Sequence, residues 1–157
     1  MEITQYRDEF KTEVIELILD IQNNEAKVNM PIECQPDLLD ITDAYINRGG
    51  DFWVAIADGH VVGTLALMRI DDQWAVLKKF FVRSDYRSCK VGLALYMRLL
   101  DFAKTMGYRH IILDTPSVAK KAHSFYERAG FRRIEKTELP VRYDYPDRQS
   151  LLFKLDL

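Results

Sequence analysis

Residues 78–104 gather the residue types that hold a phosphate. A strand-like run (KKFFV) feeds a short polar loop (RSDYRSCKVG), and the loop opens a helix-like run (LALYMRLLDFAK). The first turn of a helix carries backbone N–H groups with no partner, and the helix dipole stands behind them. Gly92 lets the backbone come close to a ligand, and Arg87 and Lys90 add positive charge. An ordinary strand-to-helix turn has the same composition, so the pattern permits an anion site without requiring one. Two other phosphate motifs are excluded. No GxGxxG follows a first strand, and no GxxxxGK[ST] occurs anywhere.

Metal chemistry finds no support. Cys34 and Cys89 are the two cysteines, they are far apart, and no CxxC or His/Cys cluster accompanies them. No metal site is expected. Two reduced thiols suit a cytoplasmic protein better than a disulfide does.

The elements that must position the loop can be read from periodicity. Asp8 is placed to cap a helix running to about Asn23, with Phe10, Val14, Leu17, Ile18 and Ile21 as its apolar stripe. A polar loop follows. Pro36 or Asp37 opens a second helix, with Leu38, Ile41, Tyr45 and Ile46 inward, and Gly49 and Gly50 stop it. Phe52–Ala57, Val61–Ile70 and Trp74–Val82 read as an antiparallel meander, turned by Asp58-Gly59 and by Asp71-Asp72-Gln73. The period then changes. Val91, Leu95, Leu99, Phe102, Ala103 and Met106 recur at helical steps as far as Gly107. His110–Asp114 is a short buried strand, which implies a right-handed crossover to a parallel neighbour. A helix over about Val118–Ala129 and strands near Phe131–Glu138 and Leu151–Leu155 complete the chain. The expected fold is α/β: a mixed, mostly antiparallel sheet of six to seven strands with helices on both faces.

The run VRSDYRSCKVGLAL resembles the acyl-CoA signature of the GNAT superfamily of N-acetyltransferases, a loop reading Arg/Gln-x-x-Gly-x-Gly/Ala before a helix. Downstream, ILDT and AHSFYERAGF look like the next strand and helix of the same family, at a matching spacing. The order of elements fits as well, so the resemblance covers nearly the whole chain and implies one domain over residues 1–157. It also implies roles. Amides of Ser88, Cys89, Lys90, Val91, Gly92, Leu93 and Ala94, with Arg87 nearby, would hold the pyrophosphate of acetyl-CoA. The backbone of Phe80, Phe81 and Val82 would pair with the pantetheine arm like an added strand. Tyr126, second in the FY pair, would border the cleft and protonate the departing thiolate, while Phe125 would face the core.

The chemistry requires such groups. A neutral amine attacks the thioester carbonyl, so a base or a water chain must take its proton. The carbonyl oxygen gains charge and needs a donor, and the sulfur leaves as a thiolate that needs an acid. This chain departs from the family pattern at three places. Lys90 and Ser88 stand where glycines are frequent. Lys90 is tolerable at negative φ, where its ammonium can pair with phosphate, and otherwise crowds the site. Ala119 replaces a frequent Asn, and Val76 stands where a Glu often serves as base. Asp71, Asp72 and Glu33 are then the candidate bases. His123 lies on the helix turn away from Ala122 and Tyr126.

Two readings follow: an N-acetyltransferase acting on a primary amine by direct attack, or a degenerate acyl-CoA-binding module without catalysis. The acceptor, a small molecule or a peptide, is weakly encoded. Asp20, Glu25, Glu33, Asp37, Asp40 and Asp43 could attract a cationic amine or could form a solvated surface, and Tyr143 and Tyr145 could add aromatic contacts. A formal charge of −2 provides no field for nucleic acid or anionic lipid. No apolar stretch reaches the ~20 residues of a membrane span, and the N-terminus has no signal-peptide core. The protein is therefore expected in the cytoplasm, and the resemblance leaves room for a homodimer.

Overall fold

The computed structural model describes residues 1–143 and 149–157. The chain opens with a strand that periodicity did not reveal, β1 (Glu2–Gln5). Four residues are too few to show an alternating pattern. The strand exists because it pairs with β2 (Asp51–Ala57), Glu2 opposite Ile56 and Gln5 opposite Trp53. The first helix is composite. A 3₁₀ turn at Asp8–Phe10 leads into α1 (Lys11–Asp20), which widens to a π turn at Ile21–Glu25. No side-chain cap forms, and the expected role of Asp8 is not realised.

The expected second helix is broken. It consists of a 3₁₀ turn at Pro36–Leu39, the short α2 (Ile41–Ala44) capped by the Asp40 carboxylate, and another 3₁₀ turn at Ile46–Arg48. Three of its apolar residues are buried as read, Leu38, Ile41 and Tyr45, which join Val14, Leu17 and Ile18 under one face of the sheet, while Ile46 is half-buried against them. Gly49 ends the segment at φ +88, a conformation that glycine adopts without steric cost.

The meander is as expected, with β2, β3 (His60–Arg69) and β4 (Trp74–Val82) antiparallel in turn. The long α3 (Val91–Met106) then crosses to β5 (His110–Pro116), which runs parallel to β4. After α4 (Lys120–Arg128) come β6 (Arg132–Ile134), much shorter than expected, and β7 (Ser150–Asp156). The residues after Ile134 leave the sheet for a 3₁₀ turn closed by a capping box between Glu135 and Glu138. Among the described residues the sheet has seven strands in the order β1-β2-β3-β4-β5-β7-β6, all antiparallel except β4 and β5. Helices cover both faces, with α1 and α2 on one and α3 and α4 on the other.

Candidate active site

The parallel pair β4–β5 is the source of the cleft. The two strands pair only at Trp74–Val76 with His110–Ile112. Beyond Val76 they diverge, and β4 runs on to Val82 with no strand on that side among the described residues. A backbone edge is thereby left open inside the sheet, as strand addition requires.

A β-bulge lies on this open stretch. Thr64 faces Phe81 and Ala66 faces Lys78, so Leu65 stands opposite both Lys79 and Phe80. Lys79 takes φ +55, and its carbonyl accepts the Thr64 hydroxyl at 2.7 Å. The extra residue drops out of the ladder, which frees backbone polar groups and re-aims the side chains. Phe80 goes to the α3 and α4 face, while Phe81 packs towards α1.

Two cavities meet at this point. One, of about 620 Å³, lies between the end of α1, the open part of β4, and α4. The other, of about 600 Å³, lies between β4, β5 and residues 22–37. Both are lined by Ala26, Phe80, Ala119, Ala122 and Tyr126. Tyr126 is 7% exposed and its ring rests against Phe80, Phe131 and Phe153. Burial, reinforced by Asp114, holds its hydroxyl well above the ordinary tyrosine range. At neutral pH it is a protonated phenol at the junction. Phe125, expected in the core, is only half-buried and lines the first cavity beside it.

The expected cofactor contacts separate by location. Phe80, Val82, Arg87 and Gly92 line the first cavity, and Phe81 lines the second. Gly92 leaves a cradle open. A Cβ there would lie 3.5 Å from the Phe80 ring and 4.0 Å from Val82 Cγ2, filling space on the cavity wall. Val91, Gly92 and Leu93 begin a 16-residue helix, so their amides have no partner one turn earlier. Two expected amides are already engaged. Cys89 donates to the Tyr86 carbonyl and Ala94 to that of Lys90. Ser88, Cys89, Lys90 and Leu93 have exposed side chains, and that of Val91 is in the core. Lys90 does not take the negative φ that would make its side chain tolerable. It adopts φ +60, the left-handed conformation that a glycine would fill, yet its side chain stays outside both cavities and crowds neither.

Cations from α4 complete the first cavity and escaped the sequence reading. Lys120, Lys121 and Arg128 line it with Arg87, against one carboxylate among the described residues, Glu25. Their sequence signal is the Lys-Lys pair at the start of the helix and an Arg two turns on.

The second cavity holds charges of both signs. The bulge places Lys78 and Lys79 together on its wall, facing Asp37 and Asp114. Lys79 Nζ donates to Gln35 Oε1 at 2.5 Å and lies 3.7 Å from Asp37 Oδ2. Burial lowers its pKa, and the Asp37 carboxylate opposes that shift. Asp37 also accepts the Tyr45 hydroxyl at 2.6 Å, and Asp114 accepts that of Tyr143. Tyr145 lies outside the described residues.

The candidate bases do not reach the site. Asp71 caps the β3–β4 turn through the amides of Gln73 and Trp74, and Asp72 pairs with Arg69. Neither these nor the exposed Glu33 lines either of the two cavities. Val76 is fully buried against Trp74 and Ile112. His123 Nε2 bonds the Pro116 carbonyl at 2.9 Å, tying α4 to β5. Four of the six acids of residues 20–43 are paired within the fold: Asp20 with Arg83 at 3.7 Å, Glu25 with Arg87 at 2.8 Å, Asp37 with Lys79 at 3.7 Å and Asp43 with Arg48 at 3.4 Å. They form no free acidic patch.

The chain resembles known proteins over most of its length. A crystal structure of an acetyltransferase from Streptococcus agalactiae superposes with a TM-score of 0.96 at 41% identity, covering 99% of this chain and 98% of that one. The PaiA N-acetyltransferase of Thermoplasma acidophilum, solved in complex with coenzyme A, shares the fold at TM-score 0.78 and 18% identity, over 99% of this chain and 98% of its own. Among curated proteins, the N-acetylaspartate synthetase of Danio rerio is 38% identical over 104 residues, 65% of this chain and 37% of that protein. The chain spans less than half the length of the curated relatives it matches. The model of the acetyltransferase (GNAT) family matches residues 15–131, and the chain belongs to that family.

Proposed function

We propose that the protein is an N-acetyltransferase that moves an acetyl group from acetyl-CoA to a primary amine by direct attack. The observation that carries this reading is the position of Tyr126, a protonated phenol lining both cavities at their junction. The first cavity suits the cofactor. It offers cations, the cradle at Gly92 and an unpaired strand edge, and coenzyme A is present in the structure of the PaiA relative. The second would take the acceptor.

Residue roles follow from this arrangement. Open amides of β4 and the start of α3 hold the thioester arm and the pyrophosphate. Donors released by the bulge at Lys79 and Phe80 serve the thioester oxygen as it gains charge. Asp114 receives the amine proton, because Asp37 already shares its charge with Lys79. The amine nitrogen bonds to the acetyl carbon, the carbon–sulfur bond breaks, the thiolate takes the Tyr126 proton, and the surplus proton left on the nitrogen restores the phenol.

The test is thiol release from acetyl-CoA with a panel of primary amines, together with thermal stabilisation by CoA. Stabilisation with amine-dependent thiol release supports transfer. Stabilisation with no release from any amine leaves the binding-module reading. No helix among the described residues is long and apolar enough to cross a membrane.

A further inference from the structure

The second cavity is asymmetric in a way that defines its ligand. Val76 and Ile112 face each other across the parallel pair, and both belong to one small apolar cluster on the same face. Two residues further along each strand, on that same face by strand alternation, stand Lys78 and Asp114. Had the ladder continued, this lysine and aspartate would be direct neighbours. The strands diverge first, and the two charges come to line opposite sides of one cavity.

Neither charge sits in an ion pair among the described residues, although the Asp114 carboxylate also acts on the buried Lys79 ammonium. Among the described residues no carboxylate lies within ion-pair distance of Lys78, and no cation lies within that distance of Asp114, whose partner is the neutral Tyr143 hydroxyl. The other charged residues of the wall are accounted for. Lys79 meets Gln35 and Asp37, and Asp37 meets Tyr45. A cavity that presents, among the described residues, one ammonium and one carboxylate outside any ion pair is complementary to a molecule carrying the opposite pair. Asp114 is also the carboxylate whose charge is felt at the Tyr126 hydroxyl, so an amine held there lies on the catalytic side.

We infer that the acceptor is a zwitterionic amine, a small molecule of amino-acid type, with its ammonium against Asp114 and its carboxylate against Lys78. This rests on the acetyltransferase reading and specifies its substrate class. It replaces the cationic acceptor that the acids of residues 20–43 suggested, since most of those acids are paired with arginine or lysine side chains of the fold.

The experiment measures kcat/KM for thiol release from acetyl-CoA with the standard amino acids, their carboxamides, dipeptides with a free N-terminus, and spermidine. The best amino acid should exceed its own carboxamide by about tenfold or more, chiefly through KM, as expected for a lost hydrogen bond between charged groups in a partly buried site. Lys78→Met should bring that ratio close to one with kcat little changed, and Lys78→Arg should restore most of it. Stabilisation by CoA, equal in wild type and both variants, controls for folding. A dipeptide bearing an acidic side chain that outperforms its neutral analogue, again only in the wild type and in Lys78→Arg, identifies a peptide N-terminus as the source of the same chemistry. Preference for spermidine or for carboxamides, or a preference that survives Lys78→Met, overturns the inference and leaves acetyl transfer standing. If no amine releases thiol, the acetyltransferase reading fails. Calorimetric binding of amino acids against carboxamides to the CoA-loaded protein then decides this inference separately: tighter amino-acid binding that Lys78→Met removes supports it, and equal or absent binding sinks it.

Discussion

Arg87 Nη2 and Glu25 Oε1 meet at 2.8 Å across the mouth of the first cavity, while Arg87 Nε holds the Val82 carbonyl at 2.9 Å. The guanidinium therefore joins the end of α1 to the end of β4. Among the described residues, Glu25 is the one carboxylate on a wall whose other charged side chains are all cations. Removing that carboxylate should favour an anionic ligand. Glu25→Gln should tighten CoA binding by a few-fold at low salt and by less at high salt, because both side chains are well exposed and screening is strong. Titration calorimetry at two ionic strengths checks this, and weaker binding by the variant would show that the pair organises the site.

Tyr126→Phe keeps the ring and its contacts with Phe80, Phe131 and Phe153. Turnover should fall by ~10²–10⁴-fold, the usual contribution of a general acid, with CoA stabilisation unchanged. A wild-type rate would assign protonation of the thiolate to water or another donor.

The backbone at Lys90 bears on stability. Its φ of +60 places a side-chain-bearing residue in a conformation that costs roughly 1–2 kcal/mol. Lys90→Gly should raise unfolding free energy by up to about 1 kcal/mol, the gain offset by the greater freedom of glycine in the unfolded chain. Lys90→Ala should bring no such gain. The electrostatic loss in CoA affinity should be several-fold at most in either variant, since the ammonium is exposed. Chemical denaturation and CoA titration of the two variants separate the effects.

Gly92 separates fold from ligand. The contacts of an added Cβ are ordinary at 3.5 Å and beyond, so Gly92→Ala should fold normally. Gly92→Glu should abolish CoA stabilisation by placing a bulky anion on the cavity wall. Equal stabilisation of wild type and Gly92→Glu would move the pyrophosphate site elsewhere.

Several tyrosines link stability to alkaline pH. Burial raises the pKa of Tyr126, Tyr45, Tyr96 and Tyr6, the last two to about 12. In the unfolded chain they ionise near pH ~10. Above that pH the unfolded state binds fewer protons than the folded one, so stability must fall as pH rises. Melting temperature should be insensitive to these groups below about pH 9.5 and should drop steadily above it. Tyr96→Phe, which deletes a buried hydroxyl without a partner, should reduce the slope of that drop.

The sequence made the scaffold legible where patterns were long. The helix over Val91–Met106 and the meander from residue 51 to residue 82 follow from apolar spacing and from Asp58-Gly59. β1 was hidden because four residues carry no period, and its order depends on β2, some fifty residues away. The second helix was overread because Leu38, Ile41 and Tyr45 keep helical spacing through a backbone broken at Asp40 and Tyr45. Within the candidate site, Gly92 and Tyr126, which line its cavities, were singled out through local motifs. Lys78 and Asp114 were not, because their relation arises from where two strands stop pairing and from one extra residue in β4.

The strand edge left open along β4 also has a cellular consequence. Unpaired edges inside a sheet are points of local opening and of unwanted strand pairing between chains. A thioester arm laid against this edge would act as a missing strand, so the cofactor would be a structural component as well as a reactant. Binding to the folded state alone adds about 2.7 kcal/mol at a ligand concentration one hundred times its dissociation constant. The lifetime of this protein against proteases would then rise and fall with the supply of acyl-CoA, and its abundance would report on the metabolic state that feeds it.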